Sequence, residues 1–415
     1  MSSFSFIHAA DLHIESPFKS ISDLHGPLSD RLIEESQAAF RRLVDVCIGE
    51  EVDFLLIAGD AFDSGSGNLG AQLRFLEGMK RLDESGIHVF LICGNHDPMD
   101  QWSDYLSFPQ NVHIFGGEEV ERLEYAKEGQ LQAAIYGISY LTQREDRKLV
   151  DMYRAQAGDP FSIGLLHGNF GSDTGHENYA PFSSADLRAA GMDYWALGHI
   201  HKREVINEQR PLAIYSGNMQ GRHFNETGRK GCYKIEVEGG RVTSYDFSPL
   251  SNVVFERYSL DITDIEELGT LDQRLNQVRE ALGYPEEVSI LLRLSLTGAT
   301  PLHSSLDEEE VRKFWNQRYG DFSDSFMFID TIVNTTRPPI HIEERRQSPD
   351  FVGYVLRRFE EYEKNPEALQ ELSNEILEEL RRSQFKKYIP DLSEEELKEA
   401  LESGQWELIT SLIDA

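Results

Sequence analysis

Val89-Phe90-Leu91-Ile92-Cys93-Gly94-Asn95-His96-Asp97 is the stretch around which the chain is organised. Val89 to Cys93 reads as a buried strand, apolar and rich in branched side chains. Gly94 lets the backbone turn sharply at its end. Asn95, His96 and Asp97 then emerge from the carboxyl end of a strand, where open α/β sheets place their ligands. Asn offers a neutral oxygen to a metal, His gives or takes a proton near neutral pH, and the adjacent Asp is placed to orient that His. Four such residues alone describe an ordinary turn. Their weight comes from the flanking chain.

Upstream, Phe4 to Ala9 is a short apolar strand followed by Asp11-Leu12-His13. Residues two apart in extended backbone point the same way, so Asp11 and His13 can reach one point. Arg31 to Ile48 has the spacing of an amphipathic helix. Asp53 to Ala58 is the next strand and ends in Gly59-Asp60-Ala61-Phe62-Asp63. Leu69 to Leu82 is a second helix leading back to the central strand. Strand, helix, strand, helix, strand is the pattern of a sheet covered by helices.

Downstream, Asn111 to Phe115 and Leu131 to Tyr140 read as strands, with a turn at Lys127-Glu128-Gly129 between them. Phe161 to Leu166 is a strand ending in His167-Gly168-Asn169, and Asp193 to Leu197 is another, ending in Gly198-His199-Ile200-His201. This second pair repeats the two-residue spacing of Asp11 and His13, with the commonest metal-ligating side chain. Leu212 to Ser216, Gly231 to Val237 and Val242 to Phe247 are expected to complete a second sheet. The loop Gly217 to Lys230 carries Arg222, His223, Arg229 and Lys230, candidates for phosphate contact. From about Val253 the character changes to strands at 253–260, 288–296 and 325–335. Thr263 to Glu266 and Ser305 to Glu308 are capping-box patterns that start helices between them. After Pro338-Pro339 the chain is helical and charged. Asn365-Pro366 starts a helix, Ser393 to Glu396 is a further capping box, and Leu369, Leu372, Ile376, Leu377 and Leu380 form an apolar stripe. That stripe closes a small helical domain on itself or docks a partner helix.

The chain has 415 residues, 40% hydrophobic and 27% charged, enough for two or three globular domains. Its three cysteines are too few and too scattered for a disulfide framework. The N-terminus has no basic segment followed by an apolar one, and no run approaches the ~20 residues of a membrane span. A cytoplasmic protein without a membrane partner is expected. The net charge of −32 makes it a poor generic binder of nucleic acid, unless bound divalent metals reverse the field locally.

Asp11, His13, Asp60, Asn95, His167, His199 and His201 all fall at strand ends. Mixed oxygen and nitrogen ligands without thiolate suit Mn, Fe or Zn better than a closed structural zinc site. Seven are too many for one ion. With Asp60 bridging, each of two ions receives four ligands, and a pair of this kind clamps an in-line displacement at phosphorus. His96 is the candidate for stabilising the transition state or protonating the leaving group, with Asp97 holding its tautomer.

This ordered set, Asp11-Leu12-His13, Gly59-Asp60 with Asp63, Gly94-Asn95-His96-Asp97, His167 and Gly198-His199-Ile200-His201, resembles the calcineurin-like metallophosphoesterase family. Within it, His8-Ala9-Ala10-Asp11-Leu12-His13, Gly59 to Asp63, and Tyr215-Ser216-Gly217 followed by Glu226, Gly228 and Lys230 are similar to the DNA-repair exonuclease branch of SbcD or YhaO type. The resemblance implies an α+β fold: a β-sandwich flanked by helices (1–250), a small α+β capping domain (251–340) and a C-terminal helical region (341–415). It also implies one ion on Asp11, His13, Asp60 and His201, a second on Asp60, Asn95, His167 and His199, and His96 as the catalytic histidine. Manganese is the expected metal, with iron or zinc as alternatives. The implied activity is 3′-to-5′ DNA exonuclease, acting with an SbcC-type coiled-coil ATPase that meets the C-terminal helices, and a homodimer. Asp63 stands where some relatives carry a His. The rival readings are a small-molecule or cyclic-nucleotide phosphoesterase of the same fold and, third, a non-catalytic scaffold.

Overall fold

The computed structural model describes residues 3–413 except 17, 19–20, 22–25, 64–68, 103–106, 146, 172–178, 264, 320–321, 323 and 382–391. The chain divides into two compact units: Met1–Arg257 with Pro285–Arg293 and Asn316–Asp330, and Tyr258–Tyr284 with Leu294–Trp315 and Thr331–Ala415.

In chain order the first unit contains β1 (Ser3–Ala9), α1 (Pro27–Gly49), β2 (Phe54–Ala58), α2 (Leu69–Glu84), β3 (His88–Ile92), β4 (Val112–Ile114), β5 (Glu121–Lys127), β6 (Gln130–Gly137), β7 (Ser162–His167), α3 (Ser184–Ala190), β8 (Tyr194–Gly198), β9 (Glu204–Asn207), β10 (Leu212–Tyr215), β11 (Gly231–Glu238) and β12 (Arg241–Pro249). These strands form two six-stranded sheets, ordered β12-β11-β1-β2-β3-β4 and β5-β6-β7-β8-β10-β9. The alternation of side chains explains the layers. Phe54, Leu56 and Ala58 of β2 share a core with Ile163 and Leu165 of β7 and Tyr194 and Ala196 of β8, so the two sheets pack face to face. Leu55 and Ile57 point the other way, onto Ala39, Phe40 and Leu43 of α1 and Phe75, Met79 and Leu82 of α2. On the outer face of the second sheet, Trp195 and Leu197 pack with Leu187 and Ala190 of α3. Strands covered on both faces read as unbroken apolar runs, as β2 and β8 do.

Two expectations are corrected here. β11 and β12 do not join the second sheet: β11 runs antiparallel to β1, from Ser3↔Glu238 to His8↔Tyr233, and extends the first. Of these three strands, β10 alone joins the second sheet, parallel to β8. β5 and β9, with the polar sequences Glu-Arg-Leu-Glu-Tyr-Ala-Lys and Glu-Val-Ile-Asn, are edge strands that the apolar pattern does not reveal. An edge strand buries too little to need an apolar run.

The remaining elements are β13 (Val253–Asp261), α4 (Leu268–Leu282), β14 (Ser289–Thr297), α5 (Glu308–Tyr319), β15 (Met327–Asn334), α6 (Ile342–Arg346), α7 (Phe351–Lys364), α8 (Pro366–Arg381) and α9 (Glu394–Ile413). The strands form a sheet ordered β13-β14-β15. Two of the expected caps shift. Glu267 precedes α4 without a side-chain cap, while Thr263 Oγ1 donates to Asp261 Oδ1 at 2.6 Å. At α5, Asp307 rather than Ser305 accepts from a first-turn amide, Glu310 N, at 2.9 Å. At α9 the box has formed: Ser393 Oγ accepts from Glu396 N at 3.3 Å, and Glu396 Oε2 from Ser393 N at 2.7 Å. Leu369 of α8 packs with Leu397 and Leu401 of α9, whereas Ile376 stays 53% exposed.

Candidate metal centre at the strand ends

β1, β2 and β3 run parallel, as do β7 and β8, so their carboxyl ends gather on one side of each sheet. Asp11 follows β1, Asp60 follows β2, Asn95 follows β3, His167 ends β7, and His199 and His201 follow β8. The backbone is strained here: Asp11, His13, Asp60 and His199 have φ of 50°, 42°, 55° and 96°. Such left-handed conformations in residues with a Cβ persist where the surroundings fix them, and they cluster at functional sites. Gly94 has a different task from the turn expected of it. A Cβ there would collide with Asp60 Oδ1, so the glycine admits the Asp60 carboxylate.

The structure brings all seven expected ligands together. His13 Nε2 and His201 Nε2 are 3.1 Å apart, and His201 Nε2 is 3.9 Å from Asp11 Oδ1. Asn95 Oδ1 lies 3.0 Å from His167 Nε2 and 3.1 Å from His199 Nδ1. Asp60 Oδ2 lies between these groups, 3.7 Å from His13 Nε2 and 3.5 Å from His167 Nε2. Donor atoms converging in two groups around one shared carboxylate fit divalent cations, which these residues would hold with Asp60 available to both groups.

Burial alone would raise the Asp60 carboxyl, but His167, His13 and His96 hold it well below the carboxylate range. Burial would lower His167, yet Asp60 carries it up to about 9. His199 is pushed down to about 3 by burial and by the charge of His167. The pocket thus favours positive charge at its centre but does not protonate every ring. Divalent ions satisfy that preference through neutral imidazoles.

His96 is placed otherwise than its neighbour Asp97 led us to expect. Asp97 accepts from the backbone N–H groups of Asp60, Ala61 and Gly94 at 3.1, 2.8 and 2.8 Å, tying the ends of β2 and β3 together. Its buried carboxyl is pushed up to about 8 by desolvation and by Asp60, against the pull of those amides. The carboxylate at His96 Nδ1 is Asp63, at 2.9 Å. Burial opposes protonation of His96, but the bond to Asp63 together with the charges of Asp60 and Asp63 outweighs it and raises the ring. Asp63 in turn accepts from Ser16 Oγ at 2.6 Å. The Asp three residues beyond Asp60 was the available signal for this pair, and proximity in sequence pointed to the wrong carboxylate.

The loop 217–230 also reaches the site. Arg222 donates to Ser16 Oγ at 2.8 Å and lies 3.5 Å from Asp63. Glu226 accepts from His201 Nδ1 at 2.5 Å. Arg229 instead reaches Asn252 Oδ1 at 3.5 Å, and Lys230 is buried.

Residues 4–203 match the calcineurin-like phosphoesterase family, and residues 255–337 match the middle domain of metallophosphoesterase YhaO. The uncharacterized metallophosphoesterase YhaO of Bacillus subtilis (strain 168) is 39% identical over 341 residues, 77% of this chain and 82% of that one. The chain belongs to the calcineurin-like metallophosphoesterases. The SbcD component of the nuclease SbcCD of Bacillus subtilis (strain 168) is 26% identical over 281 residues, covering 59% of this metallophosphoesterase and 69% of the relative. DNA double-strand break repair protein Mre11 of Sulfurisphaera tokodaii is 26% identical over 212 residues, 50% and 51% of the two chains. Membership makes this a metal-dependent hydrolase, and the donor set described above offers candidate residues to hold divalent ions. No helix among the described residues is long and apolar enough to cross a membrane.

Proposed function

We propose that this metallophosphoesterase is a two-metal phosphodiesterase acting on DNA, a manganese-dependent 3′-to-5′ exonuclease that works with an SbcC-type coiled-coil ATPase. The observation that carries the two-metal part is Asp60 Oδ2, set 3.7 and 3.5 Å from the imidazoles of His13 and His167. Asp11, His13 and His201 would complete one ion's shell, and Asn95, His167 and His199 the other's. Two divalent ions supply Lewis acidity and charge neutralisation to a phosphodiester. The chain's own contribution is orientation and proton transfer. Asp63 holds His96 Nδ1, which leaves Nε2 as the ring atom to meet the leaving oxygen and hand it a proton. The DNA reading is supported by the likeness to relatives named as a nuclease and a DNA double-strand break repair protein. The ATPase and a homodimer belong to the same reading. The C-terminal helices, with Phe351 64% and Tyr354 54% exposed, offer apolar surface for the former.

The net charge of −32 favours the second reading, a small phosphodiester as substrate. Digestion of end-labelled duplex and single-stranded DNA with Mn²⁺, beside bis-p-nitrophenyl phosphate, separates the two. We expect Mn²⁺-dependent shortening from the 3′ end that is lost in Asp60→Ala and His96→Ala. Intact DNA beside hydrolysed small ester would overturn the nuclease assignment and keep the two-metal site.

A further inference from the structure

We propose that Glu226 is a positioning residue that sets His201 as a ligand and tunes one of the two metal positions independently of the other. The inference rests on the two-metal reading and deepens it. Glu226 is 6% exposed, and each of its oxygens is held. Oε1 accepts from His201 Nδ1 at 2.5 Å and lies 3.2 Å from His223 Nε2. Oε2 accepts from Arg222 N at 2.7 Å and Asn218 Nδ2 at 3.0 Å. Contacts within one loop therefore fix this carboxylate against the outer nitrogen of His201, with His223 as a second, more distant neighbour.

The chemistry follows from the tautomer. A carboxylate at Nδ1 keeps the proton there, so the His201 lone pair is on Nε2, the atom 3.1 Å from His13 Nε2 and 3.9 Å from Asp11 Oδ1. The Glu226 charge behind the ring also makes Nε2 a stronger donor to a cation, against the opposing guanidinium of Arg222, whose Nη2 lies 3.4 Å from the same Nδ1. The corresponding ring in the other group has no such charge: His167 Nδ1 rests on the neutral carbonyl of Ala58 at 2.9 Å. His13 Nδ1 is 3.8 Å from Asp63, beyond hydrogen-bond reach. The two cation positions thus differ behind the ligands rather than in them. The position built on Asp11, His13 and His201 has a carboxylate-backed imidazole, and the one built on Asn95, His167 and His199 has a backbone-backed one.

The test is calorimetric titration of MnCl₂ into the EDTA-stripped full chain, for wild type, Glu226→Gln, Glu226→Asp and His201→Ala, with Glu226→Gln/His201→Ala as the double variant. Gln keeps a hydrogen-bond acceptor for Nδ1 but removes the charge. We expect two binding events in wild type. In Glu226→Gln one should weaken by about 10- to 100-fold while the other is unchanged, with Glu226→Asp in between. In the His201→Ala background, Glu226→Gln should add nothing, because its effect runs through that ring. A carboxylate that merely braces the loop would weaken both events alike and would act equally in the His201→Ala background. Either result overturns the inference, as does a Glu226→Gln isotherm matching that of wild type. Wild type that takes up no Mn²⁺ overturns the two-metal reading and this inference with it. Should Glu226→Gln fail to fold, the Glu226→Asp isotherm decides by the same criterion, one event weakened or both.

Discussion

The ends of β1, β2, β3, β7 and β8 and the helices α7 to α9 solve opposite problems. Every residue of β2 and of β7 is buried. The segments that follow β1, β2 and β8 hold four residues in left-handed backbone conformations. The C-terminal helices close through two small clusters, Val352, Leu356 and Ile409 in one and Leu369, Leu397 and Leu401 in the other. They leave Phe351, Tyr354 and Ile376 more than half exposed. A site that must hold strained ligands needs surroundings that over-determine them. An exposed helical surface needs only enough packing to stay folded. The local cost of a perturbation should therefore be large at the strand ends and small in the helices.

The largest effect is expected from Gly94→Ala. The new methyl would run into Asp60 Oδ1 and sit 2.9 Å from Asp60 N, so the shared carboxylate must move. A displacement of about 1 Å costs on the order of a hundredfold in turnover. The rise in melting temperature on adding Mn²⁺ should vanish with it. An active Gly94→Ala protein that still gains stability from Mn²⁺ would mean the strand ends yield more easily than their packing indicates.

Next comes a pair of truncations. Leu56→Ala removes a fully buried side chain between the two sheets and is expected to cost about 2–5 kcal/mol by chemical denaturation. Leu401→Ala, in the small α8–α9 cluster, should fall at or below the low end of that range and leave Mn²⁺ binding intact. Equal costs would erase the contrast.

These same features decide what the sequence revealed. Asp11, His13, Asp60, Asn95, His167, His199 and His201 were legible because each follows an apolar run, and a run buried on both faces can only be an interior strand. Parallel neighbours then gather their ends without further information. Edge strands β5 and β9 were invisible because nothing about them needs to be apolar. The membership of β11 in the first sheet depends on a long-range pairing with β1, which no local pattern encodes. The exchange of Asp97 for Asp63 beside His96 has a similar cause. Asp97 is nearer in sequence, but its carboxylate is consumed by three backbone amides that only the assembled sheet presents.

A smaller, pH-dependent effect separates the sandwich core from its metal chemistry. His8 is fully buried with Nδ1 2.9 Å from the Tyr194 hydroxyl, and desolvation pushes it down to about 3 from 6.5. The folded state thus keeps His8 neutral where the unfolded chain would protonate it. Its contribution is complete above about pH 6.5 and is lost as pH falls from there toward 3. The loss is at most about 1.4 kcal/mol per pH unit. Urea midpoints for wild type and His8→Gln in EDTA, at several values between pH 7.5 and 4.5, should converge as the pH falls. Parallel curves would place the acid sensitivity elsewhere.

The smallest expected change tests whether the helices open on their own. Ser393→Ala removes the side-chain acceptor for Glu396 N at the start of α9, a loss of about 1 kcal/mol. That corresponds to roughly fivefold in a local opening equilibrium. Amide hydrogen exchange should quicken by about that factor across α9 and the α8 residues packed on it, with β2, β3 and β7 unchanged. Exchange that quickens equally in those strands would show that the helices unfold only with the sandwich. The contrast would then lie in surface exposure alone. If the change stays in the helices, they open without disturbing the strained residues at the strand ends.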